Sequence, residues 1–391
     1  MQYNFDIQID RNHTNTIKYN FRKKLFGNEK VIPLWVADMD LPVCNEITIA
    51  LKKRIEHPLF GYTLQSDNFY NSFIKWMNIR HNIHIKEEWL CFSPAVVPSL
   101  SMLISIFATK FNKVAINTPV YHPFYQIIKD NGCAIVESPL IIDSNGNYQI
   151  DFKNLEDCFK QGIDIFLLCN PHNPVGKIFS NEDLDKILHL AETHNVLVIS
   201  DEIHCDIILD NSKKHVSLMQ KNNFKNIISC FSPGKTFNLA GMAASVVSIP
   251  DIKFRSKFKR ELERLHLFSG NLLGYTAFEA AYESGMEWHQ QSLQYLKGNR
   301  DFAIDYLTQY TPKIKPNKPD STFLLWLDCT DMPFENENQL KHFFYQKAEV
   351  GLSHGKIFGK NYGMFMRLNF ATQRSLLVKA LEQIRQSYIE L

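Results

Sequence analysis

Three short apolar runs in the middle of the chain each end in a different reactive group. DIFLLC (164–169) leads into NPHNPVG (170–176), VLVIS (196–200) into DEIHCD (201–206), and NIISCF (226–231) into SPGKTF (232–237). If these runs are parallel strands of one sheet, their carboxyl ends place Asn173, Asp201 and Lys235 on the same edge, which is where parallel α/β sheets bind ligands. An amine, a carboxylate and an amide brought together can do imine chemistry. The amine condenses with an aldehyde, the carboxylate keeps a heteroaromatic nitrogen protonated, and the amide donates to a ring oxygen. TPVYHPFY (118–125) adds Tyr121 just after another apolar run, a candidate to stack on such a ring, and Ser232 offers a hydroxyl to a phosphate.

Other readings of the same residues stay open at this level. Gly234-Lys235-Thr236 matches the tail of a nucleotide-binding P-loop, but the first glycine of that motif would fall on Ser229, and without it the loop lacks the backbone freedom to cradle phosphate. Lys235 could be a surface lysine on a turn. Asp201 and Ser232 could be helix caps, Asn173 a turn former beside Pro171, Pro174 and Gly176, and His204 a core histidine.

The elements that must position these groups can be read from the hydrophobic pattern. KVAINTP (113–119), AIVESPL (134–140), the three runs above and AASVVSI (243–249) are short, β-branched and apolar on both faces, as strands between helix layers must be. NEDLDKILHLAETH (181–194) has apolar residues at helical spacing, with Ser180 as its N-cap. This alternation predicts an α/β fold with a mainly parallel sheet flanked by helices. Beyond residue 250 the chain turns largely helical, with a segment from Asn271 to Gln309 carrying few breakers. TFLLWLD (322–328), a helix near 337–349, MFMRLNF (364–370) and a closing helix at 373–390 then suggest a smaller α+β unit. The expected division is a large cofactor-binding domain at 45–285 and a small domain formed by 1–44 with 286–391.

Bulk properties exclude several classes. The 391 residues are 45% hydrophobic and 21% charged with a formal net charge of +2, the composition of a globular protein without a basic stripe for nucleic acid. No run of apolar residues is long enough for a membrane span, and the start has no apolar signal core. The eight cysteines are scattered without CxxC spacing and the fourteen histidines contain no HExxH, so neither disulfides nor a metal is expected, and the reading is a cytoplasmic protein acting on a small molecule.

In order and spacing, NPHNPVG, SDEIH and the SPGK turn resemble the fold-type I pyridoxal-phosphate enzymes, the class I/II aminotransferase superfamily. PLWVADMDL (33–41), AVVPSL (95–100), CNPHNPVG (169–176), SDEIHCD (200–206), KTFNLAG (235–241) and GLSHGKIFG (351–359) narrow this to a resemblance to the MalY/PatB-type C–S lyases, the cystathionine β-lyases, from about residue 30 to the C-terminus. The resemblance implies pyridoxal 5′-phosphate as cofactor, with Lys235 as its covalent anchor and as acid–base group, Asp201 at the pyridine nitrogen, Asn173 at the ring oxygen and Tyr121 on the ring face. It implies Val96 and Val97 N–H groups and Ser232 at the phosphate, His204 beside the cofactor, and Tyr62 (in LFGYT) reaching the phosphate of a neighbouring subunit in a homodimer. Arg367 would bind the substrate carboxylate, with Ala37 in PLWVADM passing close by. The implied reaction is β-elimination from a thioether amino acid such as L-cystathionine. The alternatives are amino transfer to a 2-oxoacid, or a regulatory module that keeps the cofactor without turnover. Three departures stand out, two from the wider superfamily that fit the C–S lyases better than the aminotransferases, and one, at Ala95, from the C–S lyases themselves. Met242 to Ala244 occupy a zone where aminotransferases carry a phosphate-binding arginine. His204 replaces a frequent tyrosine. Ala95 replaces a glycine before VVP, so strain in the phosphate loop is expected if that position needs positive φ.

Overall fold

The computed structural model describes residues 2–143, 146–221 and 223–391. Its centre is a sheet of eight strands among these residues: β1 (Leu90–Ser93), β2 (Lys113–Thr118), β3 (Ala134–Ile142), β4 (Tyr148–Ile150), β5 (Ile165–Cys169), β6 (Leu197–Asp201), β7 (Ile227–Phe231) and β8 (Ser245–Ser248). The spatial order is β1-β8-β7-β6-β5-β2-β3-β4. Pairs β3–β2, β2–β5, β5–β6 and β6–β7 are parallel, while β7–β8, β8–β1 and β3–β4 are antiparallel. The predicted strands are therefore present, and the parallel block sits in the middle. AASVVSI departs from the expectation by running antiparallel.

This topology decides where the site is. Being antiparallel to β8, β1 points the same way as β7. The carboxyl ends of β1, β2, β5, β6 and β7 and the amino end of β8 consequently share one edge. The apolar residues of β5, β6 and β7 are buried throughout, because helices cover both faces. Strand β3 does not match the expectation of burial on both faces. It lies near the sheet margin, where Ala134 and Pro139 are exposed and Ile135 to Glu137 only half-buried.

Helix 181–194 starts at Ser180 as read from sequence. The Ser180 hydroxyl accepts from the Asp183 N–H, and the Asp183 carboxylate accepts from the Ser180 N–H, a reciprocal capping box. The segment 271–309 is two helices, Leu272–Ser284 and Met286–Tyr310, broken at Gly285. There a Cβ would lie 2.3 Å from Phe237 and 2.5 Å from the Ala281 carbonyl. A second sheet pairs Leu324–Asp328 with Phe365–Asn369, flanked by Lys315–Pro316 and Ser353–His354. The N-terminal chain joins that unit through a parallel pairing of Ile32–Pro33 with Val350–Gly351. The closing helix runs Arg374–Ile389.

Candidate functional site

Lys235 lies in a single helical turn, Pro233–Thr236, directly after β7. Ser232 caps this turn. Its Oγ accepts from the Gly234 N–H at 3.1 Å and donates to the Ala244 carbonyl at 2.9 Å. Next to the lysine, the Thr236 hydroxyl donates to Asp206 Oδ2 at 2.8 Å. Asp206 Oδ1 accepts from Trp76 Nε1 and faces His81 Nε2, both at 2.8 Å. Burial would raise the Asp206 carboxyl, but the hydrogen bonds from His81 and Trp76 outweigh it and hold the group well below the usual range. The lysine turn is thus bolted to the loop that follows β6 by an ionised, fully partnered carboxylate.

The Lys235 amine donates to the Ala37 carbonyl at 2.5 Å. Burial pushes its pKa down to about 8, assisted by the charge of Arg367 and opposed by Asp38 and Asp201. Asp201, at the end of β6, moves the other way. Burial raises it to about 7, against the opposing pull of the Ile203 N–H at 3.1 Å and the Lys235 charge. A buried carboxylate with so little stabilisation of its charge is a ready partner for a cation.

One cleft joins these groups. Its walls include Ala37, Val96, Val97, Tyr121, Asn173 and Asp201, with Ser232, His204 and Lys235. Val96 and Val97 open a 12-residue helix whose N-cap, Ala95, gives it no side-chain cap, so its first N–H groups are available to an anion. Ala95 has φ −165 and ψ 162, extended backbone that alanine adopts without strain. The expected distortion of this loop is therefore absent. Ala243, among the residues standing where an arginine was noted as missing, lines the same cleft with φ 51.

Arg367 comes from the second sheet and is 3% exposed. Its Nη1 donates to Asn173 Oδ1 at 3.0 Å, and its Nη2 donates to the Trp35 carbonyl at 2.9 Å and Ser353 Oγ at 3.2 Å. Its guanidinium lies 4.7 Å over the Phe358 ring. Arginine has only donors, so Asn173 must turn its oxygen towards Arg367, which leaves the NH2 for other partners. His204 is buried with its ring edge-to-face on Phe323 at 5.8 Å, and its Nδ1 makes no hydrogen bond. Burial, with the charges of Lys235 and Arg367, keeps it neutral. Tyr62 is not brought to the cleft of its own chain. It is fully exposed, and Leu59, Phe60 and Leu64 around it are also largely exposed.

Sequence reasoning missed the device that holds PLWVADMDL in place. Asn369 Nδ2 donates to the Val36 and Asp38 carbonyls. Asn238 bonds both the N–H and the carbonyl of Met39 and donates to the Leu41 carbonyl. The strap 34–41 is thereby fixed between the two sheets. Asn238 sits three residues after Lys235 with φ 59, a conformation asparagine tolerates, and the asparagine in KTFNLAG was the available signal.

The family model for aminotransferase class I and II matches residues 29–384. The chain belongs to that family. Within the family it is 38% identical over 384 residues to cystathionine beta-lyase PatB of Bacillus subtilis, covering 98% of this chain and 99% of the relative. Among solved structures, cystalysin from Treponema denticola, which contains pyridoxal 5′-phosphate, superposes with a TM-score of 0.94 at 29% identity over 100% of both chains. A PLP-bound C–S lyase from Staphylococcus hominis superposes with a TM-score of 0.91 at 31% identity, covering 99% of this chain and 98% of that one.

Proposed function

We propose that this family member is a pyridoxal 5′-phosphate-dependent carbon–sulfur β-lyase. It converts L-cystathionine or a related S-substituted L-cysteine, with one water, into a thiol (homocysteine from cystathionine), pyruvate and ammonia. The observation that carries this reading is the shared cleft of Lys235 and Asp201, in a chain that resembles a cystathionine β-lyase over its full length. The donor set fits the cofactor: a buried amine, a buried carboxylate in need of a cation, and the uncapped N-terminus of a helix. When bound, the cofactor draws electrons from the substrate α-carbon, which makes the α-proton acidic and lets the β-substituent leave.

The chain's own residues do the rest. Lys235 would hold the cofactor through its amine, and the same Nζ would accept the substrate α-proton. An amine brought down to about 8 is partly neutral at neutral pH, so it can accept one. Asp201 holds the ring nitrogen, the Asn173 NH2 donates to the ring oxygen, and Tyr121 covers the ring. The Val96 and Val97 N–H groups and Ser232 hold the phosphate, His204 lines the ring pocket as a neutral imidazole, and Tyr62 reaches the phosphate of a second copy in a homodimer. Arg367 takes the substrate carboxylate as a two-pronged donor, beside Ala37. On this reading, residues 45–285 carry the cofactor. Residues 1–44 with 286–391 form the small domain that brings Arg367 to it, in a cytoplasmic enzyme. No helix among the described residues is long and apolar enough to cross a membrane.

The deciding experiment is pyruvate release from L-cystathionine by the purified, cofactor-loaded protein without any 2-oxoacid. Catalytic pyruvate with equimolar homocysteine and ammonia is expected. The family description keeps amino transfer as the second reading. It prevails if no pyruvate forms while an amino group passes to an added 2-oxoacid.

A further inference from the structure

A second cavity, of about 550 Å³, lies against the cofactor cleft and shares Ala37, Lys235 and Ala240 with it as a common wall. Ile9, Ile17 and Met39 supply apolar walls, and Arg11, Asp38 and Asp40 line it as well. Arg11 Nη2 donates to Asp38 Oδ2 and Nη1 to Asp40 Oδ1, each at 2.6 Å. Lys18 lies below, with Nζ 2.7 Å from Asp40 Oδ2 and 3.4 Å from Asp38 Oδ1. Two cations and two carboxylates leave the cluster neutral. Lys18 is buried and closes the cluster from inside, whereas the Arg11 and Asp38 side chains keep 17% and 22% exposure. Only two of the five N–H groups of Arg11 are used by these carboxylates.

We propose that this cavity receives the part of the substrate beyond sulfur, and that Arg11 with Asp38 selects a leaving group ending in a zwitterionic amino acid. Three features carry the assignment. The cavity begins at Lys235, so a chain running from the reacting carbon has direct access to it. Its lining includes Ile9, Ile17 and Met39, which suit a thioether and methylenes. Its charged part presents a guanidinium beside a carboxylate, the complement of a carboxylate beside an ammonium, and a zwitterion adds no net charge to a neutral cluster. A zwitterion can add charge-assisted hydrogen bonds to the Arg11 N–H groups that its carboxylate partners leave free, which an uncharged terminus cannot. The proposal rests on the lyase reading and sharpens it, from any S-substituted cysteine to one with an amino-acid terminus.

The test compares L-cystathionine with S-benzyl-L-cysteine, a thioether of similar reach without distal charge, on the cofactor-loaded wild type, Arg11→Met and Arg11→Lys. In Arg11→Met the ratio of kcat/KM for cystathionine to that for S-benzyl-cysteine is expected to fall about 10- to 100-fold, carried by KM. Arg11→Lys, which keeps the charge but not the fork, should recover part of it. An unchanged ratio, whether both activities persist or both collapse because the strap has shifted, overturns the proposal. So does a wild type that cleaves S-benzyl-cysteine but not cystathionine, an outcome that leaves the lyase reading standing. If neither substrate yields pyruvate, the lyase reading fails. Titrating the cofactor absorbance with each amino acid then still reads the Arg11 contribution, and equal affinities in wild type and Arg11→Met reject it.

Discussion

At the scale of single residues, the site is set by opposed pKa shifts of two groups facing one cleft. Asp201 has a folded-state value raised to about 7 from an ordinary 3.8. A raised value means that the folded state binds the proton more tightly than the unfolded chain. The associated stability is present in full below the ordinary value and is lost as pH rises through about 7. Melting curves of the cofactor-free protein should therefore show wild type losing stability relative to Asp201→Asn as pH is taken from 4 to 7. A difference independent of pH would contradict the burial argument. Loading the cofactor should abolish the trend, because a protonated ring nitrogen stabilises the ionised carboxylate. These residues were legible in the sequence because three different reactive types follow three consecutive apolar runs, and their order along the chain is informative. The Asn173 orientation was not legible, since it depends on Arg367, which is 194 residues away.

At the scale of elements, the turn carrying Asn173 is held by a neighbour that the sequence does not reveal. Gly176 has φ +69, and a Cβ there would lie 2.2 Å from Pro319 Cβ and 2.6 Å from the Ser321 carbonyl. Its own carbonyl accepts from the Ser321 N–H. Gly176→Ala combines a left-handed alanine with a clash against backbone, and should cost about 2–4 kcal/mol in chemical denaturation. It should also weaken cofactor binding, because Asn173 moves with the turn. A variant of wild-type stability would mean that segment 319–321 yields easily. Helix and strand positions came from periodicity with small errors at their ends. The antiparallel sense of β8 was missed because a short apolar run reads the same in both directions. The single break at Gly285 was missed because it answers to the packing of Phe237, not to local propensity.

At the scale of the whole molecule, segment 59–64 turns Leu59, Phe60, Tyr62 and Leu64 outward, more apolar surface than one short stretch normally leaves in water. A homodimer in which Tyr62 completes the opposite site accounts for it and makes a specific prediction. Lys235→Ala and Tyr62→Ala should each be nearly inactive as homodimers. Mixed under conditions that exchange subunits, they should regain about a quarter of wild-type activity per site, because half of the dimers are hybrids with one intact site in two. No recovery, with exchange verified by mass, would leave Tyr62 a surface residue with no part in the opposite site. Sedimentation at assay concentration should show the dimer directly.

The sequence by itself determined the fold class, the cofactor chemistry and the edge of the sheet on which the reacting groups gather. These follow from periodicity and from residue types at strand ends, which are local properties. The tertiary structure alone decided that Arg367 orients Asn173, that Asn238 and Asn369 fix the strap 34–41, and that Arg11 and Asp38 border a second cavity next to Lys235. Arg367 and Asn173 are 194 positions apart, Asn238 and Asn369 lie 197 to 333 positions from the strap carbonyls they bind, and the wall shared by the two cavities joins Lys235 to Ala37 across 198 positions. Contacts of that range are selected by how sheets and helices pack, and no local pattern encodes them.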